Sequence, residues 1–236
     1  MRQALILFAL PLLVAQAPAV EAAGIRGDAA AVAAAERLLE SVGGRQAWRA
    51  RNFTVEERGF MRSGEVAQLR ISRDLQRGAR RIENVTPTST TVEWVAPEGG
   101  WTMSKGAVTP MPATELAAEL QGLKQEPYSI YHRLARNDEA LRVELREQNS
   151  MLMVFDRDER VLCWFQLDPR GGLVGWGNFY DGRINQHYYG PLGDMGDANL
   201  PKWGAASNGS FRFEYVSARL TDEPVAEPSR TPPAGN

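Results

Sequence analysis

The stretch VLCWFQLDPRGGLVGWGNFYDGRINQHYY, residues 161–189, alternates runs of strand-forming residues with short runs of turn residues. Valine, leucine and aromatic side chains dominate the runs Val161–Leu167, Leu173–Tyr180 and Arg183–Tyr189, which is typical of β-strands. The Asp181-Gly182 pair between the last two runs is the strongest hairpin signal in the chain, because these residues accept the positive φ angles of a two-residue turn. The stretch therefore predicts three consecutive antiparallel strands.

The same pattern extends through most of the chain. In the predicted hairpin after Phe53, Ala67, Leu69 and Ile71 alternate with Val66, Gln68 and Arg70, so that one face is apolar. About eleven strands are predicted in all, in an antiparallel meander. The eight outside the opening stretch are Phe53–Arg62, Glu65–Asp74, Arg80–Val85, Thr90–Val95, Trp101–Ser104, Arg142–Arg146, Met151–Phe155 and Phe211–Leu220.

Helices are predicted at the start of the chain and between the two halves of the meander. The run from Ala29 to Val42 is rich in alanine and leucine, and Gly43-Gly44 ends it. A short helical turn carrying Trp48 follows. The insert from Ala113 to Leu134 contains two amphipathic helices, and its apolar side is expected to pack on the sheet.

The N-terminus has the order of a secretory signal peptide: Arg2, an apolar run from Ala4 to Val14, and then small residues. The run is too short to span a bilayer of roughly 30 Å. We expect cleavage after Ala22, so that residues 1–22 are removed, residues 23–221 form one domain and residues 222–236 form a disordered proline-rich tail. The single cysteine, Cys163, excludes an intrachain disulfide.

The formal net charge of −2 gives no field that would attract a polyanion, so nucleic acid is not an expected partner. No integral membrane segment is expected after signal cleavage, and the protein is expected to be a monomer. Neither Asp156, Asp158 and Glu159 nor the pair Asp194 and Asp197 supplies enough ligands for calcium, so no metal site is predicted. His132 and His187 lie in no catalytic motif, and no catalytic residue or cofactor is predicted.

The order of these parts resembles the LolA-like periplasmic superfamily, the family of outer-membrane lipoprotein carriers. The pieces that carry the resemblance are LLESVGGRQAW (residues 38–48), the helical insert and LPKW (residues 200–203). The resemblance implies a curved half-barrel sheet of antiparallel strands, with the N-terminal helix and the insert packed on its concave face. It also implies a hollow between sheet and helices that receives acyl chains or other apolar ligands.

Seven apolar residues are candidates for the wall of such a hollow. Four are tryptophans of predicted strands, two lie on the insert, and Leu162 belongs to a strand that is apolar on both faces. Two-sided apolarity indicates that the concave face is covered by helices, by ligand or by both; ordinary core packing without a cavity explains it as well. The candidates are Trp94, Trp101, Leu116, Leu120, Leu162, Trp164 and Trp176.

These observations favour a periplasmic binding or carrier protein for an apolar or lipidated ligand, with an envelope protein as a possible second partner. Two alternatives remain open. The first is an envelope enzyme that uses the same concavity as its active site, and the second is an interaction module of an envelope complex without a small ligand. A continuous apolar cavity would favour the carrier, converging polar groups the enzyme, and a filled core with an exposed apolar patch the module.

Overall fold

The computed structural model describes residues 24–180 and 182–229, which form one large antiparallel sheet and four helices. The predicted signal peptide, residues 1–22, lies outside these described residues. The mainly β fold with helices, predicted from the alternation of apolar residues, is confirmed.

The helices follow the local signals of the sequence. Asp28 caps the first helix, and its carboxylate accepts a hydrogen bond of 2.7 Å from the Ala31 amide. Gly43 and Gly44 adopt positive φ angles after this helix, as glycine readily does. Pro127 occupies the first turn of the fourth helix. The helices are α1 (Ala29–Ser41), α2 (Gly44–Trp48), α3 (Ala113–Gln125) and α4 (Pro127–Ala135).

Each of the predicted strands is present, and the described residues contain four further short ones. Two of these, β6 and β14, raise the main sheet from the predicted eleven strands to thirteen. The strands are β1 (Asn52–Met61), β2 (Val66–Asp74), β3 (Ala79–Val85), β4 (Thr90–Ala96), β5 (Gly99–Ser104), β6 (Ala107–Pro110), β7 (Arg142–Arg146), β8 (Met151–Phe155), β9 (Val161–Leu167), β10 (Leu173–Tyr180), β11 (Arg183–Tyr189), β12 (Leu192–Asp194), β13 (Asn199–Pro201), β14 (Trp203–Ala206) and β15 (Phe211–Thr221).

The sheet is open, and its two arms meet at the last strand among the described residues, β15. Its order is β6-β5-β4-β3-β2-β1-β15-β14-β11-β10-β9-β8-β7, and every pairing is antiparallel. The β12–β13 pair forms a separate small sheet.

The sheet curves around helix α3. This helix contacts β3, β4 and β5 of one arm and β9 and β10 of the other. Thirteen residues of helix span about 20 Å. Strands β4 and β10 are seven positions apart in the sheet, which would separate them by about 34 Å if the sheet were flat. The two arms therefore bend toward each other on the helix-bearing face.

The core lies between this helix-bearing face and helices α1, α2 and α4. Trp48 and Phe53 are fully buried there, with ring centroids 5.1 Å apart, and Tyr131 of α4 packs on Phe165 of β9. Cys163 is a free, buried cysteine of the same cluster, as expected for a small hydrophobic residue in an apolar strand.

The segment after β15 differs from the expected disordered tail. Val225 is buried and packs with Trp94 and Trp101 on the outer face of the sheet. The indole of Trp101 donates a 3.0 Å hydrogen bond to Glu227. Residues 222–229 therefore follow the sheet, whereas residues 230–236 lie outside the part of the chain that the structure describes.

None of the helices within residues 24–180 and 182–229 is long and apolar enough to cross a membrane.

Candidate functional site

A cavity of ≈ 350 Å³ lies between the helix-bearing face of the sheet and helices α3 and α4. Its walls come from both arms of the sheet, because β2 and β3 line one side and β10 and β11 the other, with β1 and β15 between them. We call it the helix–sheet cavity. The predicted location of a hollow, between the sheet and the helical insert, coincides with it.

One side of the cavity is an aromatic wall contributed by β10, β11 and β15. His187 stacks on Trp176 with a centroid distance of 5.6 Å, and Phe213 lies 6.0 Å from His187. Phe213 also contacts three further rings, those of Tyr215, Phe211 and Tyr189, at centroid distances of 5.0, 5.8 and 6.4 Å. The members of the aromatic wall are Trp176, His187, Tyr189, Phe211, Phe213 and Tyr215.

Glycines in neighbouring strands let two of these rings lie flat against the sheet. A Cβ at Gly204 of β14 would come within 2.3 Å of the Phe213 ring, and one at Gly59 of β1 within 2.7 Å of the Phe211 ring. Any larger residue at either position would lift a ring from the sheet and change the shape of the cavity.

The opposite side of the cavity is built from charged residues that connect α3 and α4 to the sheet. Arg73 of β2 donates to Glu126 at 2.5 Å, and Arg80 of β3 donates to the same carboxylate at 3.1 Å. Arg80 also binds Glu93 at 2.7 Å and Glu119 at 2.6 Å. Burial acts to raise the pKa of Glu126, but the charges and hydrogen bonds of the two arginines outweigh it, so this pKa is lowered.

Glu57 of β1 is a charged residue of the cavity that forms no ion pair or hydrogen bond with the described residues, although the charge of Arg73 attracts it. Its side chain is on the helix-bearing face, only 8% of the residue is exposed, and among the described residues nothing donates a hydrogen bond to its carboxylate. Burial raises the pKa of Glu57 to about 7, against the lowering effect of Arg73 and with a further rise from Glu126. The register between β1 and β15 shifts beside it, between Glu56 and Glu57, as is common next to binding sites.

Further polar atoms of the cavity residues are buried without a partner in the described part of the protein. Asn178 donates to Gln125 at 3.2 Å, but its own carbonyl oxygen accepts nothing. Because most buried polar groups in proteins are hydrogen-bonded, this concentration around one cavity is unusual. The unpaired atoms are Arg73 Nη1, Arg80 Nε and Asn178 Oδ1. The Trp176 indole does not belong to this set, because it interacts with the buried Cys163 thiol.

The seven candidates from the sequence are not brought together. Trp176 lines the helix–sheet cavity. Leu120 and Leu162 line a different cavity of ≈ 550 Å³ between α3 and the turns after β2 and β8. Leu116 packs over Gly100 of β5 at the far end of α3.

Trp94, Trp101 and Trp164 lie on the outer face of the sheet. The prediction that they line a hollow between the sheet and the helices is therefore wrong. Val95 pairs with Arg80 and therefore lies on the helix-bearing face. Trp94 is the neighbouring residue and so points to the opposite, outer face, as does Trp101, with which it pairs. Trp164 pairs with Gly177 and Met153, and its ring covers that glycine and contacts Phe179. Strand β9 is thus apolar on both faces because its outer face carries an apolar cluster of its own, made of Met153, Phe155 and Trp164.

The charged residues of the cavity were missed, although the strand pattern contains a signal for them. Alternation from Phe53 and Val55 places Glu57 on the apolar face of β1. The same alternation from Leu69 and Ile71 places Arg73 there on β2. A charged residue in phase with a buried apolar face indicates either an ion pair or a site, and here both are present.

The remaining polar candidates have ordinary structural roles or belong to the cavity. His132 is buried, with Nδ1 2.8 Å from the Trp48 carbonyl oxygen. Asp156 and Glu159 pair with arginines, such as Arg160 at 3.0 Å and Arg142 at 2.5 Å. Within residues 24–180 and 182–229, no group of three or more His, Cys, Asp and Glu residues is placed to hold a metal ion. His187 belongs to the aromatic wall, and burial lowers its pKa.

No protein-family model matches the chain, and no curated protein matches it either. The resemblance to the LolA-like superfamily therefore rests on element order and on the two short sequence pieces that carry it.

Proposed function

We propose that this protein binds a small amphipathic ligand in the helix–sheet cavity and acts as a binding or carrier protein. The observation that carries the proposal is a cavity that combines an aromatic wall, ion-paired arginines and glutamates, and buried polar atoms without a hydrogen-bond partner among the described residues. Ligand sites are typically mostly apolar, with a few polar groups that fix the orientation of the ligand. The volume of ≈ 350 Å³ is at the small end for such sites.

The helical cover has the properties of a lid. Of the residues of α3, only Leu123 and Gln125 are buried, so few apolar contacts hold this helix in place. Its attachment is polar: Glu119 accepts hydrogen bonds from Arg80 of one arm and, at 2.9 Å, from the Tyr180 hydroxyl of the other. An element with few buried apolar contacts opens at low cost in free energy, which a carrier needs for loading and release.

The resemblance to LolA-like proteins supports the same position for the ligand, since in that superfamily the hollow between sheet and helices is occupied. The charged residues of this cavity point to a ligand that is not purely apolar. A wholly apolar chain would leave Glu57 buried without a partner, at a cost of about 1–3 kcal/mol or more.

Filling the cavity from α3 tests the proposal. Gly122 of α3 lines the cavity, and a leucine at this position would project toward Tyr180 and occupy part of the space. Leucine also favours helix by up to about 1 kcal/mol over glycine, so the helix should be retained. Ala118→Leu is the matched control, because Ala118 lies one helical turn earlier, is exposed and does not line the cavity.

Native mass spectrometry of the purified protein should detect a co-purified ligand in wild type and in Ala118→Leu, and little or none in Gly122→Leu. An apolar fluorescent probe should give the same order of affinities. Equal ligand retention by all three proteins would place the ligand elsewhere. A wild-type protein with neither added mass nor probe binding would contradict the carrier function.

An enzyme is the second candidate, because the same cavity contains groups suited to proton transfer. A carboxyl group with a pKa of about 7 has the acidity that general acid–base catalysis requires at neutral pH. However, among the described residues no hydrogen bond links Glu57 or His187 to another side chain that would complete a catalytic relay. A reaction proposed for this cavity would have to be lost in Glu57→Gln while ligand binding was retained.

We further propose export to the periplasm with removal of the signal peptide near Ala22. The basis is the apolar run from Ala4 to Val14 and the small residues after it. N-terminal sequencing of protein recovered from the cell envelope should give a start near Ala23. An intact Met1 in that protein would contradict this.

A further inference from the structure

The cavity has more negative charge than positive charge. Two guanidinium groups, those of Arg73 and Arg80, pair with the lining carboxylates of Glu119 and Glu126, and Arg80 also pairs with Glu93, which does not line the cavity. Glu57 adds a third lining carboxylate, which forms no ion pair with the described residues. An anionic ligand would be repelled by this excess of carboxylates. Both arginines already form ion pairs with carboxylates, and of their buried atoms only Arg73 Nη1 and Arg80 Nε lack a hydrogen-bond partner among the described residues.

Glu57 is directly connected to the aromatic wall. It lies opposite Tyr215 in the β1–β15 pairing, so their Cβ atoms are about 5 Å apart. From Tyr215 the wall continues through Phe213 at 5.0 Å. The Tyr215 hydroxyl contacts that of Tyr128 on α4, which fixes the ring beside the carboxylate.

A carboxylate next to several ring faces is the arrangement that recognises organic cations. The negative face of an aromatic ring attracts an ammonium group, and the attraction is strongest where water is excluded. A carboxylate adds a full opposite charge, and its desolvation has already occurred on folding. A neutral chain would use the rings but leave the carboxylate unpaired.

We propose that the ligand of the helix–sheet cavity carries an organic ammonium group, which binds between Glu57 and the aromatic wall. This inference rests on the proposed binding function and specifies the chemical class of the ligand. The apolar remainder of the ligand lies along Phe211 and Phe213, under α3.

Three probes of one shape and different charge test the inference: benzyltrimethylammonium, its neutral carbon isostere neopentylbenzene, and the anion benzylsulfonate. Binding is followed by the indole N–H signal of Trp176 in nitrogen-15 NMR spectra, assigned with Trp176→Phe. We expect the cation to bind at least tenfold more tightly than the neutral probe and the anion not to bind.

Glu57→Gln should lower the affinity for the cation about tenfold and leave the neutral probe unaffected. Glu56→Gln is the matched control, because Glu56 is the neighbouring carboxylate on the opposite, exposed face of the same strand. Circular dichroism verifies that both variants are folded.

Wild type provides a second measurement that needs no variant. The charge of benzyltrimethylammonium does not change with pH, whereas Glu57 titrates near neutrality. The charged and titratable groups that face Glu57 are Arg73 of β2, Glu126 and Tyr128 at the start of α4, Tyr189 of β11 and Tyr215 of β15. The affinity for the cation should therefore rise several-fold between pH 6 and pH 8.

Equal or tighter binding of the neutral or anionic probe, or an unchanged affinity in Glu57→Gln, would overturn the cationic class and leave the binding cavity in place. If none of the three probes shifts the Trp176 signal in wild type, the inference is wrong and the proposed binding function is contradicted as well.

Discussion

Glu57 occupies a strand position that the pattern of β1 assigns to an apolar side chain. Phe53 and Val55 precede it on the same face and are buried in the core. Burial at such a position, without a hydrogen-bond donor among the described residues, disfavours the ionised form of the Glu57 carboxyl group. The pKa of Glu57 is therefore raised to about 7. A group of this kind lowers the stability of the folded protein unless a ligand compensates it.

The raised pKa predicts how stability depends on pH. The folded state binds the Glu57 proton up to about pH 7, and the unfolded state releases it near the ordinary value of 4.5. The stabilising contribution of protonated Glu57 is therefore complete below pH 4.5 and is lost as the pH rises through 7. The side chain introduced by Glu57→Gln stays neutral at every pH. The free energy of unfolding of this variant minus that of wild type should therefore increase by up to about 3 kcal/mol between pH 4.5 and pH 8.

Urea unfolding of both proteins across this pH range measures the difference, in which the contributions of all other titrating groups cancel. Glu56→Gln, on the exposed face, should follow wild type at every pH. A constant difference between Glu57→Gln and wild type would mean that Glu57 titrates normally in the folded protein.

At the scale of single elements, strand alternation and turn residues predicted most of the sheet, because both are local properties. The Asp-Gly turn and the runs around it predicted β10 and β11. The strands that were missed are short: β6 has four residues and β14 has four, and Gly204 interrupts the apolar pattern of β14. Their pairing with longer neighbours, which local sequence does not encode, makes them strands.

The side of the sheet that each residue faces was harder to predict than the strands themselves. In β9 both faces are apolar, so alternation alone gives no direction for Trp164 or Leu162. Their directions depend on what covers each face, and this is settled by long-range packing: α4 on one side, Phe179 and Gly177 on the other. The charged part of the cavity was missed for the same reason, since Arg73, Arg80 and Glu126 come from three separate elements.

At the scale of the whole molecule, the curvature of the sheet creates the cavity. Glu119 of α3 reaches Arg80 on one arm and Tyr180 on the other, which is possible only because the arms bend toward each other. The ion pairs across the cavity thus connect the position of the lid to the separation of the arms. Opening α3 breaks contacts with both arms at once.

The C-terminal segment joins the middle of the sheet to one arm on the outer face. It leaves the central strand β15 and places Val225 against Trp94 of β4 and Trp101 of β5. These two strands lie near the end of the arm that does not contain β10 and β11. This contact covers two tryptophans that would otherwise be exposed on the outer face. The segment therefore stabilises the arm that carries Arg80 and Glu93.

Val225→Asp tests this role of the segment. Only 6% of Val225 is exposed, and its side chain would be replaced by a charge against two indole rings. Loss of a buried valine costs about 1.5–3 kcal/mol, and in a domain of this size each kcal/mol lowers Tm by about 2–4 °C. We expect a Tm lower by about 5 °C or more. We also expect a red shift of tryptophan fluorescence, because Trp94 and Trp101 would become exposed to solvent. Ala226→Asp, at the exposed neighbouring position, should change neither quantity. Identical melting curves for the two variants would mean that the segment does not hold the arm.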